Sequence, residues 1–316
     1  MKKIYDVYGV GDVFVDIIIE TTEEELKKLG IPKGVQEIIN LEKRDKILNN
    51  LSDNSGNIRI GGYTLNIFKA LSCLGLKSNF GTKLGMDEFG LITQKELMNT
   101  RINFDFKTGF GCTDSCMTFL LPDLSSTRHK HEGISKKLSY KDIDVIKLKQ
   151  SKNLFLDANL LDSVSRMRVA RFISRIAKES ESNIIFELNN INNLTKNIEL
   201  AKELILKSDV VISSFESAYL LFNESDKQKL MRKMGEEKTV RILKTRDEYL
   251  ISHNNKEFSV SKVKPKSRYS NEFFTAGFIF GFNQGYGIEK SCIIGSYLSS
   301  KEKIDDEILD DLHRVF

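Results

Sequence analysis

Short apolar β-runs alternate with helix-period segments along nearly the whole chain, and this alternation restricts the fold more than any other feature. KIYDVYGVG, VFVDIIIE, KSNFGTKLG, MTFLLPD, KNLFLDANLL, NIIFEL and DVVIS read as strands. Between them YTLNIFKALSCLGL, DEFGLITQKELMN, SVSRMRVARFISRIAKES and IELAKELILKS carry the apolar periodicity of amphipathic helices. Repeated strand–helix–strand units bury best as an open, mostly parallel sheet with helices on both faces. TVRILKT, EYLISHN and EFSVSKV follow one another without a helix and read as antiparallel strands. TTEEELKKLG reads as a short helix, with Thr22 and Glu25 forming a capping box and Gly30 a stop. Two β-rich stretches, 14–40 and 104–132, lack crossover helices of their own. They are expected to form a small sheet covering a cleft. No linker or repeat divides the chain, so the expectation is one domain over 1–316 with a β lid.

Composition removes several classes of function. A chain of 316 residues, 40% hydrophobic and 29% charged, is ordinary for a globular protein and long enough for one large α/β domain. A net charge of +4 is too small to point to nucleic acid or an anionic membrane surface. The longest apolar runs, such as FFTAGFIFGF, are too short to span a bilayer. The start of the chain passes into a strand pattern with no secretory cleavage signature. Four cysteines without a framework spacing read as reduced thiols, so a cytoplasmic protein is expected.

Several residues could carry chemistry, and each also has a plain structural reading. Gly61 and Gly62 lie between a strand and the helix that contains Asn66. Such a junction lets a ligand approach the backbone and meet free N–H groups, or it is an ordinary tight turn. Asp12 and Asp16 flank the end of the first strand, placed to accept hydrogen bonds from vicinal hydroxyls or to serve turn chemistry. Cys112, Cys116, His129 and His131 have the residue types of a zinc site, but the Cys spacing lacks a CxxC turn. No metal is therefore expected, and His129, His131 and Arg128 are read as lid-lining residues. Lys262, Lys264, Lys266 and Arg268 alternate along an extended segment, either a phosphate-holding stripe or a solvated face. Glu272 stands alone at the front of the apolar run 273–282.

Taken in order, GVGDVFVD, KGVQEIINLE, GGYTLNIFKALSCLGLKSNFGTKLGMDEFG, SKNLFLDANLLD and FTAGFIFGFNQGYGIEKSCIIGSYLSS resemble the ribokinase-like (PfkB) carbohydrate and nucleoside kinases. Segment 20–42 is most similar to the adenosine-kinase-type branch. The resemblance implies a three-layer α/β core with a β lid, and phosphoryl transfer from ATP to a hydroxyl of a sugar or nucleoside. It carries the family's substrate aspartate onto Asp16 and its sugar loop onto Gly61, Gly62 and Asn66. Asp12 falls where the family commonly has asparagine or serine.

On the nucleotide side this sequence departs from the pattern. The family's Gly-Ala-Gly-Asp falls on Tyr269, Ser270, Asn271 and Glu272. Glu272 keeps a carboxylate at the base position, while Ser270 and Asn271 stand at the anion cradle without its glycines. The Asn-x-x-Glu element falls on Ser214–Ser217, and the glycines of the nucleotide turn on Arg246 and Tyr249. The expectation is a kinase fold with its sugar half furnished and its activity weak or lost. ATP and Mg²⁺ are the cofactors if activity survives, and none otherwise. The alternative is an inactive pseudo-kinase binding a ribose-like ligand or a protein partner. A homodimer through the lid is one way its strand edges would be covered.

Overall fold

The computed structural model describes residues 1–51, 57–123 and 125–315. Its strands are β1 (Tyr5–Val10), β2 (Phe14–Glu20), β3 (Gln36–Ile39), β4 (Asn57–Gly61), β5 (Ser78–Gly85), β6 (Asn103–Gly109), β7 (Asp114–Leu120), β8 (Ser126–His131), β9 (Ser151–Asp157), β10 (Asn183–Leu188), β11 (Val210–Ser214), β12 (Val240–Lys244), β13 (Glu248–His253) and β14 (Lys256–Ser261). Nine of them form one sheet in the order β14-β13-β12-β11-β10-β9-β1-β5-β6. Pairing is parallel from β12 through to β6, and antiparallel for β12–β13 and β13–β14.

Central strands of a parallel sheet are covered on both faces, which explains why LFLD, NIIFEL and VVIS are nearly continuous apolar runs. Their side chains still alternate. Phe155 and Ile185 enter the core that contains Phe68, Phe274, Phe278 and Ile294. Their neighbours Leu154, Leu156, Ile184 and Phe186 enter the opposite core, packed by Val169 and Ile173. The helix Ser270–Asn283 is buried at every position from Glu272 to Gly281, as its lack of a polar face requires. It lies against the helix Ile288–Ser299, where a Cβ on Gly277 would come within 2.8 Å of the Gly295 Cα.

The other five strands form a second sheet, ordered β3-β8-β7-β2-β4. Segment 104–132 is thus divided: β7 and β8 join the small sheet, whereas β6 pairs with β5 at the edge of the large one. The small sheet also takes in β4, which lies outside both β-rich stretches of the sequence. Val15, Ile17, Ile19, Met117 and Phe119 face the helices Glu23–Lys28 and Leu41–Asn50, making a third core. The capping box forms as the sequence requires, with Glu25 N–H donating to Thr22 Oγ1 at 3.3 Å and Thr22 N–H to Glu25 Oε2 at 2.9 Å. Among the described residues no helix is long and apolar enough to cross a membrane.

Candidate active site

Ligands of open α/β sheets sit beyond the carboxyl ends of the strands. Here β1 runs out through Gly11, Asp12 and Val13 directly into β2 of the small sheet, and β4 returns at Gly61 to start the helix Tyr63–Cys73. Between the two sheets lies a cavity of about 360 Å³. Asp12, Asp16, Gly61, Gly62, Asn66 and Glu272, separated by up to 260 positions in sequence, all line it. Gly62 has φ +145°, and a Cβ there would stand 2.4 Å from the Asp12 carbonyl oxygen. Only glycine makes that turn without displacing the strand end that carries Asp12.

The two aspartates are held differently. Asp16 accepts a hydrogen bond from Thr118 Oγ1 at 2.9 Å and lies 3.8 Å from the Arg268 guanidinium. Asp12 is 3.5 Å from Lys130 Nζ and 3.7 Å from Arg166. Burial pushes the Asp12 carboxyl up, but Arg166 and Lys130 outweigh it and hold the group below the usual carboxylate range. Glu272 is 8% exposed, with Asn66 Nδ2 at 3.5 Å from its Oε1. Burial raises its carboxyl above the ordinary value, the direction a proton acceptor working near neutral pH requires. Beneath the cavity, burial and the charge of Asp12 push Asp114 up to about 6.

Strand alternation sorts the lid residues. Cys116 pairs in register with Lys130, and Thr118 with Arg128, so these side chains share the cavity face. His129 and His131 point the other way. His129 packs edge-on against Phe119 and comes within 3.6 Å of Glu37. Of the expected lid-lining residues, Arg128 therefore reaches the cavity and the two histidines do not. Cys116 and the histidines lie on opposite faces of the sheet, which separates the residues of the zinc alternative.

Next to this cavity, on the side of β10–β13, the side chains are committed to one another. Glu187, next to last in β10, accepts from Lys244 Nζ at 2.6 Å, from Tyr63 Oη at 2.8 Å and from Thr275 Oγ1 at 3.1 Å. Both members of the ion pair are buried. Tyr249 stacks on Phe274 with ring centroids 3.8 Å apart, and Lys262 Nζ lies 5.0 Å above the Tyr249 ring. Ser214 caps the helix Phe215–Phe222 by accepting from the Ser217 N–H at 3.1 Å. Arg246 is exposed in the turn between β12 and β13.

Tyr269 precedes the first turn of the helix Ser270–Asn283 at φ −95°, a conformation any L residue adopts. Its ring lines the cavity under the Arg268 guanidinium, which lies 4.8 Å away and donates to its Oη. Ser270 is half-buried and Asn271 exposed; neither lines the cavity. Tyr63, Glu187, Lys244 and Thr275 are not among the candidate site residues of the sequence. The signal for Glu187 is a lone acid near the end of the apolar strand NIIFEL.

The comparisons agree with this architecture. The family model for pfkB family carbohydrate kinases matches residues 39–301, and the chain belongs to that family. The structure is similar to an adenosine kinase from Sinorhizobium meliloti, with TM-score 0.81 and 18% identity, covering 99% of each chain. It is also similar to a probable sugar kinase from Rhizobium etli CFN 42, with TM-score 0.82 and 17% identity, again over 99% of each chain. Trypanosoma brucei brucei adenosine kinase superposes with TM-score 0.81 at 15% identity, over 93% of this chain and 97% of that one. At these identities the likeness is one of fold, which is ribokinase-like. No curated protein sequence matches the chain.

Proposed function

We propose that this pfkB-family protein, closest to the adenosine-kinase-type branch, binds a sugar or nucleoside in the cleft and transfers phosphate to it slowly or not at all. In this reading 1–316 is one ribokinase-like unit, with the small sheet as its lid. Asp12, Asp16, Gly61, Gly62 and Asn66 hold the hydroxyls. The observation that carries the proposal is the front of the helix Ser270–Asn283. Where the family presents a glycine cradle to the transferring phosphoryl group, Tyr269 places a ring beside the helix start under Arg268. Ser217, at the position of the metal-organising carboxylate, is buried beneath the Ser214 cap. Lys244 is neutralised by Glu187 rather than left for an incoming anion. These residues do not fit a magnesium-bound polyphosphate. Preorganised donors aimed at developing charge are worth about 10²–10³ in rate for each one lost.

A second reading, a working phosphotransferase with Glu272 as general base, is favoured by one observation. Glu272 sits in the same cavity as the two aspartates, and burial raises its carboxyl. Calorimetric titration with adenosine and ribose, alongside an assay of ADP release from Mg-ATP, separates the two. Ligand binding with no ligand-dependent ADP release supports the proposal. Ligand-dependent ADP release that disappears in Glu272→Gln overturns it in favour of the second reading.

A further inference from the structure

Strand β8 carries two kinds of side chain. Arg128 and Lys130 point into the cleft. His129 and His131 point outward, on the face of the small sheet that the helix Leu41–Asn50 covers. His129 is fully enclosed and His131 nearly so. Among the described residues neither ring nitrogen of His129 has a hydrogen-bond partner, nor has Nδ1 of His131. Glu37, at 3.6 Å from His129 Nε2, is too far to accept one.

Such a setting favours the uncharged imidazole. A protonated ring would lose its water and gain no acceptor at hydrogen-bond distance. The covering helix also sets cations against the pair: Lys43 faces His129, and Arg44, itself buried, faces His131. Carboxylates face them too, Glu37 of β3 toward His129, and Asp45, Asp87 and Glu132 toward His131. Each of these is already engaged. Lys43 holds Glu37 at 2.7 Å and Arg44 holds Asp45 at 2.7 Å. Asp87 accepts from Gly90 and Thr113, and Lys136 pairs with Glu132. Burial first, and the cations second, keep both imidazoles below their ordinary value.

We propose that β8 is a pH-sensitive clamp: its two uncharged histidines seat the helix Leu41–Asn50 on the small sheet, and their protonation in mild acid releases that helix and slackens the strand that delivers Arg128 and Lys130 to the cleft. The folded values lie below the unfolded ones, so the opened state binds protons more tightly. The clamp is therefore complete above about pH 6.5 and is lost as pH falls through the folded values. Asp114 on the neighbouring β7 has the opposite trend, because burial makes it hold its proton more tightly in the folded chain. A fair test compares variants that all keep Asp114.

The test is hydrogen exchange of the full chain read by mass spectrometry at about pH 7 and about pH 5, corrected for the intrinsic pH dependence of exchange. Protection of 41–50 and 126–131 falls about tenfold or more on acidification, while β9 and β10 keep theirs. In the double variant His129→Leu with His131→Gln the fall shrinks below about threefold. A second measurement needs no substitution of the clamp. The chain has four histidines, and NMR titration of labelled imidazoles shows His129 and His131 staying neutral until the helix Leu41–Asn50 loses protection. Equal protection at the two pH values, a loss shared evenly by both sheets, or a loss that the double variant leaves intact overturns the inference. Should the variant fail to fold, the imidazoles decide: His129 and His131 titrating near about 6.5 with the helix still protected overturn it as well.

Discussion

The two sides of the cleft are built from neighbouring ends of the same sheets, but their charges are spent differently. On the side of β10–β13, Glu187 is met by three donors at 2.6–3.1 Å, and its ion pair with Lys244 is closed from solvent. On the side of β1, β2 and the lid, the carboxylates and their cations stand 3.5–3.8 Å apart around an open volume. Contacts that are short, buried and mutually satisfied hold the fold together. Contacts that are long and border a cavity can be exchanged for a ligand at small cost. The difference teaches that two halves of one cleft can divide the work, one closing its charges on each other and the other leaving them at the edge of an open volume.

The largest test of this contrast is Lys244→Ala. Removing the cation strands a buried Glu187, and the expected loss is about 3–5 kcal/mol of unfolding free energy by urea titration. A double replacement by apolar residues of similar size, Glu187→Leu with Lys244→Met, loses less, because no charge is left unpaired. A neutral Lys244→Ala would mean that this half is not structural.

A pH titration of stability examines the other half. Asp114 titrates near 6 in the folded chain, chiefly because it is buried and secondly because Asp12 is charged. A raised folded value means that the folded state binds the proton more tightly. The contribution is therefore full below about pH 4 and lost as pH rises through 6. That decline, on the order of 2–3 kcal/mol, is checked by urea unfolding at pH 4.5 and pH 7, and Asp114→Asn flattens it.

Smaller effects sharpen the comparison within the cleft. Gly62→Ala forces a left-handed residue against the Asp12 carbonyl, costing about 1–3 kcal/mol and lowering ligand affinity by calorimetry. Asp16→Asn weakens ligand binding about tenfold but moves stability by less than about 1 kcal/mol, since an amide oxygen still accepts from Thr118 and the Arg268 contact is long.

Much of this was readable before any coordinates. The large sheet follows from apolar runs alternating with amphipathic helices, and the Thr22–Glu25 cap from four consecutive letters. Asp12, Asp16, Gly61, Gly62, Asn66 and Glu272 converge on one cavity. What escaped notice depended on pairing between distant segments. Glu187 and Lys244 are 57 positions apart and read separately as single polar residues at or near the ends of apolar strands. The edge strand NFDFKTG carries too many polar side chains to look like part of a large sheet. Which of Arg128, His129, Lys130 and His131 face the cleft is a matter of register, and a single-residue slip would have exchanged the arginine and lysine for the histidines.

One arrangement has a mechanical side. Asp16 rides on the small sheet and Glu272 on a helix of the large one, and the run from β1 into β2 is a short tether between them. A molecule grasped by both acts as a rivet across the seam, so occupancy is written into the backbone of β2 and β4 as slower amide exchange even when no bond is made or broken.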